Sequence, residues 1–132
     1  MRFSVLGSGS KGNCTLVESG TTRLLIDNGF SGKELVGRLA GLGIAPETLT
    51  AIVVTHEHDD HIKGIGVLAR RLNLPVYANS ATHRAAEPRV GTLPVRREFE
   101  VGEAFVVDGL QVHPFSVSHD TADPVGFVVS DG

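Results

Sequence analysis

Residues 51–54, AIVV, form a continuously apolar run that leads directly into the polar segment 55–61, THEHDDH. A strand that is apolar at every position is typical of a sheet buried on both faces. The polar segment holds three of the six histidines of the chain and three acidic residues. It therefore follows the carboxyl end of a buried strand, which is where open α/β sheets place their ligand sites.

The spacing of the polar segment favours a metal site. Side chains two apart on an extended chain project to the same side, so His56, His58 and Asp60 share a face if the segment stays extended. His61 follows, where the chain must turn to start the next helix. Imidazole and carboxylate together suit zinc, manganese or iron rather than calcium. The alternative is a solvated loop tip, but such tips use Gly, Asn, Asp and Lys rather than three histidines.

The rest of the chain predicts a single α/β (α+β) domain over residues 1–132, with helices on one side of a mixed sheet. A capping pattern, Ser31 followed by Glu34, marks the start of the first helix. The predicted strands are residues 2–6, 14–18, 22–26, 51–54, 75–78, 99–101, 104–107, 110–117 and 125–130. The predicted helices are residues 31–40, a segment from about 65 to 73, and 80–86.

At residues 56–61 the pattern His-x-His-x-Asp-His resembles the metal-binding motif of the metallo-β-lactamase superfamily. Residues 24–29, LLIDNG, are similar to an early strand of that superfamily, which ends in an aspartate that supports the metal loop. Residues 5–31 resemble most closely the small bacterial subgroup related to the YycJ/WalJ proteins, and more distantly the branch that includes ribonuclease Z. The resemblance covers essentially the whole chain and implies the N-terminal half of an αβ/βα sandwich.

The resemblance implies a set of ligands for two divalent metal ions, with zinc expected and manganese or iron as alternatives. His56 and His58 would hold the first metal together with a later histidine. Asp60 and His61 would serve the second metal, and Asp60 would also orient the nucleophile. Such metals lower the pKa of bound water from about 15.7 towards about 7, so that hydroxide attacks the substrate.

Two supporting assignments also follow from the resemblance. The later histidine is His119 or His113, which share strand parity. The segment around His119, FSVSHD, resembles the third motif of the family, so His119 is favoured, and His113 is then a histidine inside a strand. Asp27 is the best candidate to hold the imidazoles of the metal loop from behind.

The resemblance also exposes a gap. The family carries a later aspartate that bridges both metals and a late histidine, and neither has a counterpart here; Asp131 does not resemble the bridging aspartate. We therefore expect a C-terminally truncated domain that associates with a second chain or with its missing half. We also expect the isolated chain to be poorly active.

The composition of the chain says less about its cellular location and its partners than the motifs say about its site. The single cysteine, Cys14, excludes an internal disulfide, and no apolar run approaches the length of a membrane span. Together with a start that reads as a strand, this predicts a cytoplasmic location without membrane contact. The net charge of −3 gives no overall basic footprint for nucleic acid. It does not exclude such a substrate, because bound metals add positive charge locally.

Three functions are compatible with these features. The first is a metal-dependent hydrolase of phosphodiesters, such as a DNA exonuclease-like nuclease acting on DNA or RNA. The second is a thioester or lactone hydrolase of the same fold, and the third is a non-catalytic metal-binding fragment. The loop at residues 7–13, GSGSKGN, either contacts phosphate through its amides and Lys11 or is a plain hairpin loop.

Other polar residues have simpler interpretations. Cys14 is expected to be a small buried hydrophobe, and His83 is expected to decorate the surface. The Arg70-Arg71 and Arg96-Arg97 pairs are expected to be solvated, with contact to a polyanion as the alternative. By strand alternation, Glu57 and Asp59 point away from the ligand face.

Overall fold

The computed structural model describes residues 1–118 and 121–132. In this part of the chain the strands are β1 (Arg2–Gly7), β2 (Cys14–Ser19), β3 (Thr22–Ile26), β4 (Ala51–Val53), β5 (Pro75–Ala78), β6 (Val95–Glu98), β7 (Phe105–Val107), β8 (Leu110–Ser116) and β9 (Val125–Ser130). The α-helices are α1 (Gly32–Ala40), α2 (Asp59–Ile62), α3 (Ile65–Leu72) and α4 (Ser80–Val90), and Pro46–Thr48 forms a short 3₁₀ turn.

The strands form two sheets. The larger has the order β1-β2-β3-β4-β5-β6, and the smaller has the order β7-β8-β9. In the larger sheet β1 to β3 are antiparallel, whereas β3, β4, β5 and β6 run parallel. The carboxyl ends of the parallel strands therefore meet at one edge, where Asp27, Thr55 and Asn79 follow β3, β4 and β5.

Two hydrophobic cores lie on opposite faces of the larger sheet. On one face, Ile52 of β4 belongs to a cluster with buried residues of α1, α3 and α4, including Leu35 and Leu68. On the other face, Ala51 and Val53 pack in a cluster with strands of the smaller sheet. Strand β4 is thus buried on both faces, as the apolar run predicts, and the helices cover one side of the mixed sheet. The smaller sheet covers the other side.

Strand β6 and helix α4 differ from the sequence prediction. The predicted strand at residues 99–101 is wrong, because the strand is β6, whose charged residues lie at the exposed edge of the sheet and give no apolar run. Helix α4 continues past residue 86 to Val90, with Pro88 in its last turn. A proline there removes one backbone donor without ending the helix, and Gly91 N–H still donates to Glu87 O.

No helix in residues 1–118 or 121–132 has the length and apolar character needed to cross a membrane.

Candidate metal centre

The loop of residues 55–61 follows β4 and lies beside the end of the neighbouring strand β3. Asp27 follows β3 with a φ of 62°, and its N–H donates to Val53 O at 2.9 Å. Aspartate is one of the few residues with a side chain that enters this left-handed region readily. The turn brings the Asp27 carboxylate under residues 55–61, where its exposed fraction is only 3%.

The Asp27 carboxylate holds the loop through three hydrogen bonds. Thr55 N–H donates to Oδ1 at 2.8 Å. The Thr55 hydroxyl donates to Oδ2 at 2.6 Å, and His61 Nδ1 lies 2.7 Å from the same oxygen. One buried carboxylate therefore fixes both the start of the loop and its last histidine.

These contacts set the tautomers of two imidazoles. An ionised carboxylate only accepts, so His61 Nδ1 carries the proton that it donates to Asp27. The single hydroxyl proton of Thr55 goes to Asp27, so Thr55 Oγ1 accepts from His56 Nδ1 at 2.8 Å. In the neutral form both rings then present Nε2 as the nitrogen with a lone pair, which is the form that ligates a metal.

The electrostatics of His61 follow from the same pair. Burial lowers its pKa, but the hydrogen bond to Asp27 and the charges of Asp27 and Asp60 outweigh burial. The pKa of His61 consequently lies above its ordinary value. Asp27 and Asp60 favour the protonated ring of His61, so a cation that binds at Nε2 must displace that proton.

The shape of the loop corrects one expectation. The chain bends at Thr55, the backbone is extended at His58, and α2 starts at Asp59. Asp60 therefore does not share a strand face with His56 and His58; it lies in the first turn of a helix together with His61. The three imidazoles nevertheless cluster, because the ring centroid of His56 lies 4.8 Å from that of His58 and 4.1 Å from that of His61.

Asp60 is held by Asn13, from the glycine-rich loop between β1 and β2. The Asn13 amide donates to Asp60 Oδ2 at 3.0 Å and to Asp60 O at 3.2 Å, and Asn13 N–H donates to Asp60 O at 2.8 Å. Gly29 lies against the same carbonyl, where an added Cβ would be 1.7 Å from Asp60 O. The sequence patterns did not reveal Asn13, Thr55 or Gly29 as parts of the site.

The two remaining acids of the loop point elsewhere. Glu57 accepts from Ala122 N–H at 3.0 and 3.2 Å through its two oxygens. Asp59 forms an exposed ion pair with Arg89 of α4. These contacts tie the loop to the connection before β9 and to α4.

The third histidine stays a prediction. His119 lies outside the described residues. His113 is in the middle of β8, on its exposed face, and is paired with Val128. Among residues 1–118 and 121–132, no group of three or more His, Cys, Asp or Glu side chains is arranged so that it could hold a metal ion.

Cys14 and His83, two residues outside the loop, are both buried. Cys14 is 2% exposed in the core beneath the helices, and burial, with the Asp27 charge, raises the pKa of its thiol, which confirms a small buried hydrophobe. The surface assignment of His83 is wrong, because its exposed fraction is 4% and its ring lies 2.7 Å from Arg97 O through Nε2. Residue 83 lies inside the predicted helix, but the sequence pattern did not show that this face of α4, with Thr82, His83 and Ala86, is buried.

The chemistry of these donors suits a divalent cation, although within residues 1–118 and 121–132 they do not converge into a ready group of three ligands. Three clustered imidazoles and the Asp60 carboxylate have the composition expected for zinc, manganese or iron. The bonds from His56 and His61 through Nδ1 to the Thr55–Asp27 pair match the way in which metal-binding histidines are usually oriented. A cleft of about 310 Å³ whose walls include Asn13, Asp27, Thr55 and His61 opens beside the loop.

Comparisons with known proteins concern the family and the fold of the chain. The profile of the "Metallo-beta-lactamase superfamily" matches residues 7–132. The chain is 46% identical over 129 residues to "Exodeoxyribonuclease YycJ" of Bacillus anthracis, covering 95% of this chain and 48% of the relative. It is 40% identical over 127 residues to "Exodeoxyribonuclease WalJ" of Streptococcus pneumoniae, covering 93% of this chain and 47% of the relative. The chain thus spans about half the length of the curated relatives it matches.

Solved structures share the fold. The "Rm3 metallo-beta-lactamase" superposes with a TM-score of 0.77 at 24% identity, over 92% of this chain and 51% of that one. A metallo-β-lactamase of Cronobacter sakazakii superposes with a TM-score of 0.79 at 18% identity, over 95% of this chain and 55% of that one. At these identities the likeness concerns the fold alone. From the profile match and the close relatives, the chain belongs to the metallo-β-lactamase superfamily.

Proposed function

We propose that this chain carries the metal-binding part of a metal-dependent hydrolase that acts as a nuclease on DNA. The observation that carries the proposal is the buried Asp27 carboxylate, which orients His61 directly and His56 through Thr55. A merely structural loop does not need two imidazoles fixed in the same tautomer. The relatives named as exodeoxyribonucleases support the choice of substrate.

The proposed ligands are those of the loop and one histidine downstream. His56 and His58, with His119, hold the first divalent metal, and Asp60 and His61 serve the second. Zinc is the expected metal. When bound, such metals act as Lewis acids and supply hydroxide near neutral pH.

The residues of the chain prepare this chemistry. Asp27 keeps the protons of His56 and His61 on the Nδ1 side, so that Nε2 is the basic nitrogen. Asp60 would be a ligand of the second metal and would orient the water that serves as the nucleophile. Asn13 fixes the Asp60 carboxylate from the side of the cleft.

The proposed partners are the phosphodiester substrate and further protein. Because the chain spans about half the length of its relatives, we propose that a second chain or the remaining half of the domain supplies the bridging aspartate and the late histidine. A cytoplasmic location stays a prediction from the sequence.

The test compares turnover of linear DNA, a chromogenic phosphodiester and a glutathione thioester by the zinc-loaded chain. We expect weak phosphodiester turnover that disappears in His58→Ala and persists in His113→Ala, a matched change of a histidine on the outer face of β8. Thioester turnover above phosphodiester turnover would favour the thioesterase alternative. Bound zinc without any turnover would favour the metal-binding fragment.

A further inference from the structure

Asn13 uses every polar group that it has. Its N–H and its side-chain amide bind Asp60, and its carbonyl accepts from Gly29 N–H at 3.0 Å. Its Oδ1 accepts from Gly9 N–H at 3.0 Å, and its Nδ2 donates to Gly9 O at 2.7 Å. Asn13 therefore joins the glycine-rich loop, the end of β3 and the start of α2 at one point.

The orientation of the amide is determined by these contacts. Turning the amide over would place Oδ1 against Gly9 O and against both Asp60 oxygens, and would set Nδ2 against the N–H of Gly9. Only the observed orientation pairs donors with acceptors. The donor that faces Asp60 is thus fixed before any ligand arrives.

A fixed donor matters because Asp60 is less constrained than Asp27. Asp60 is partly buried and lies in the first turn of a helix of four residues. Its carboxylate can rotate about χ2, where the preference among angles is broad. The 3.0 Å hydrogen bond from Asn13 Nδ2 occupies Oδ2 and thereby restricts that rotation.

We propose that Asn13 is a positioning residue for Asp60, which holds the carboxylate in the orientation needed for binding the second metal. The inference rests on the proposed function, since it assigns Asn13 a role towards the same metal site. The link through Gly9 also makes the glycine-rich loop part of the support of that site. The phosphate-contact interpretation of the loop is not needed for this role.

A double-mutant cycle on Co²⁺ affinity tests the proposal. The metal-stripped chain, Asn13→Ala, Asp60→Ala and the double variant are titrated with Co²⁺ and followed by visible absorption. We expect Asn13→Ala to lower the affinity for the second equivalent of Co²⁺ roughly tenfold when Asp60 is present, which is the lower end of the usual effect of a residue that orients a ligand. In the Asp60→Ala background, the same change should have almost no effect.

If Asn13 only stabilised the fold, the double-mutant cycle would give a different result. Asn13→Ala would then lower Co²⁺ affinity by the same factor in both backgrounds, and this result would overturn the proposal. Asn73→Ala, a loss of another asparagine at the exposed end of α3, controls for a general loss of stability and should leave affinity unchanged. If Asn13→Ala does not fold, Asn13→Ser replaces it in the cycle, because its hydroxyl is too short to reach Asp60.

The two proposals fail in different ways. An additive cycle in a chain that binds Co²⁺ and hydrolyses phosphodiesters refutes only the role of Asn13. A wild-type chain that binds no Co²⁺ refutes both, and a chain that binds one equivalent with an affinity unchanged in Asp60→Ala refutes only the role of Asn13.

Discussion

Oδ2 of Asp27 lies 2.7 Å from Nδ1 of His61, and the same oxygen accepts the Thr55 hydroxyl at 2.6 Å. Asp27, which follows β3, therefore fixes the orientation of His61 in α2. The carboxylate lies behind the loop and bonds to Nδ1 of the imidazole, as carboxylates that orient metal-binding histidines usually do.

Replacing Asp27 with Asn should weaken metal binding without unfolding the chain. Asparagine tolerates the left-handed φ of 62° but accepts hydrogen bonds less strongly than a carboxylate. We expect zinc affinity to fall roughly 10- to 100-fold, measured by competition with a chromogenic chelator. Asp108→Asn, the same change at a φ of 48° in the β7–β8 turn, is the control and should bind zinc as the wild type does. Equal affinity in both variants would contradict the role of Asp27.

Replacing Thr55 with Val tests the hydroxyl alone, because valine has nearly the same shape as threonine but no hydroxyl. Valine removes the donor to Asp27 and the acceptor for His56 Nδ1. Asp27 keeps its bonds to Thr55 N–H and His61, but the loss of the hydroxyl from this buried cluster should still cost about 1–3 kcal/mol in the free energy of unfolding of the metal-free chain, measured by urea denaturation. Thr55→Ser keeps the hydroxyl and should lose less. Equal stability of the two variants would contradict a role for the hydroxyl.

Gly29 should not tolerate even a methyl group. An added Cβ would meet Asp60 O at 1.7 Å and Asn13 N at 3.1 Å, so the backbone of the site must move. We expect Gly29→Ala to destabilise the chain by about 1–3 kcal/mol and to weaken zinc binding.

Gly37→Ala is the matched control for Gly29→Ala. Gly37 lies within α1, where nothing is near the added Cβ. Alanine should stabilise that helix by about 0.5–1 kcal/mol. Similar unfolding midpoints for the two alanine variants would show that the contact between Gly29 and Asp60 is unimportant.

Stability should fall in acid because of His83. Burial and the charge of Arg96 lower its pKa, and they outweigh the hydrogen bond to Arg97 O and the charge of Glu98. The folded chain therefore keeps His83 neutral at a pH where the unfolded chain, with an ordinary pKa of about 6.5, binds a proton. The contribution of His83 is complete above that value and is lost as the pH falls through the lowered pKa.

The measurement for His83 is the free energy of unfolding at about pH 5 and about pH 8, in the wild type and in His83→Gln. Glutamine can donate to Arg97 O but does not titrate. The wild type should lose more stability on acidification than the variant does. An identical loss would show that His83 does not remain neutral in the folded chain.

The parts of the fold that the sequence predicts are those with a strong local pattern. The apolar run of β4 and the Ser31 cap of α1 have such patterns, and Ser31 Oγ does accept from Glu34 N–H at 3.3 Å. The segment THEHDDH can also be recognised from its composition, since it holds three histidines and three acidic residues. Strand β6 and the end of α4 were missed because charged side chains at a sheet edge and a proline near a helix end oppose the usual patterns.

The contacts that organise the candidate site depend on tertiary structure. Asn13 and Asp60 are 47 positions apart, and Asp27 and His61 are 34 apart. The order of the parallel strands brings them together, and a single sequence carries no local signal for that. The start of α2 at Asp59 likewise depends on packing, since Ile62 is buried against the core while Asp60 contacts Asn13.

The central claim is that residues 55–61 bind a divalent metal, and zinc content after equilibrium dialysis tests it most directly. The wild type and His113→Ala should retain at least one zinc ion per chain, whereas the double variant His56→Ala, His58→Ala should retain almost none. Retention of wild-type zinc content by a folded double variant would contradict the account.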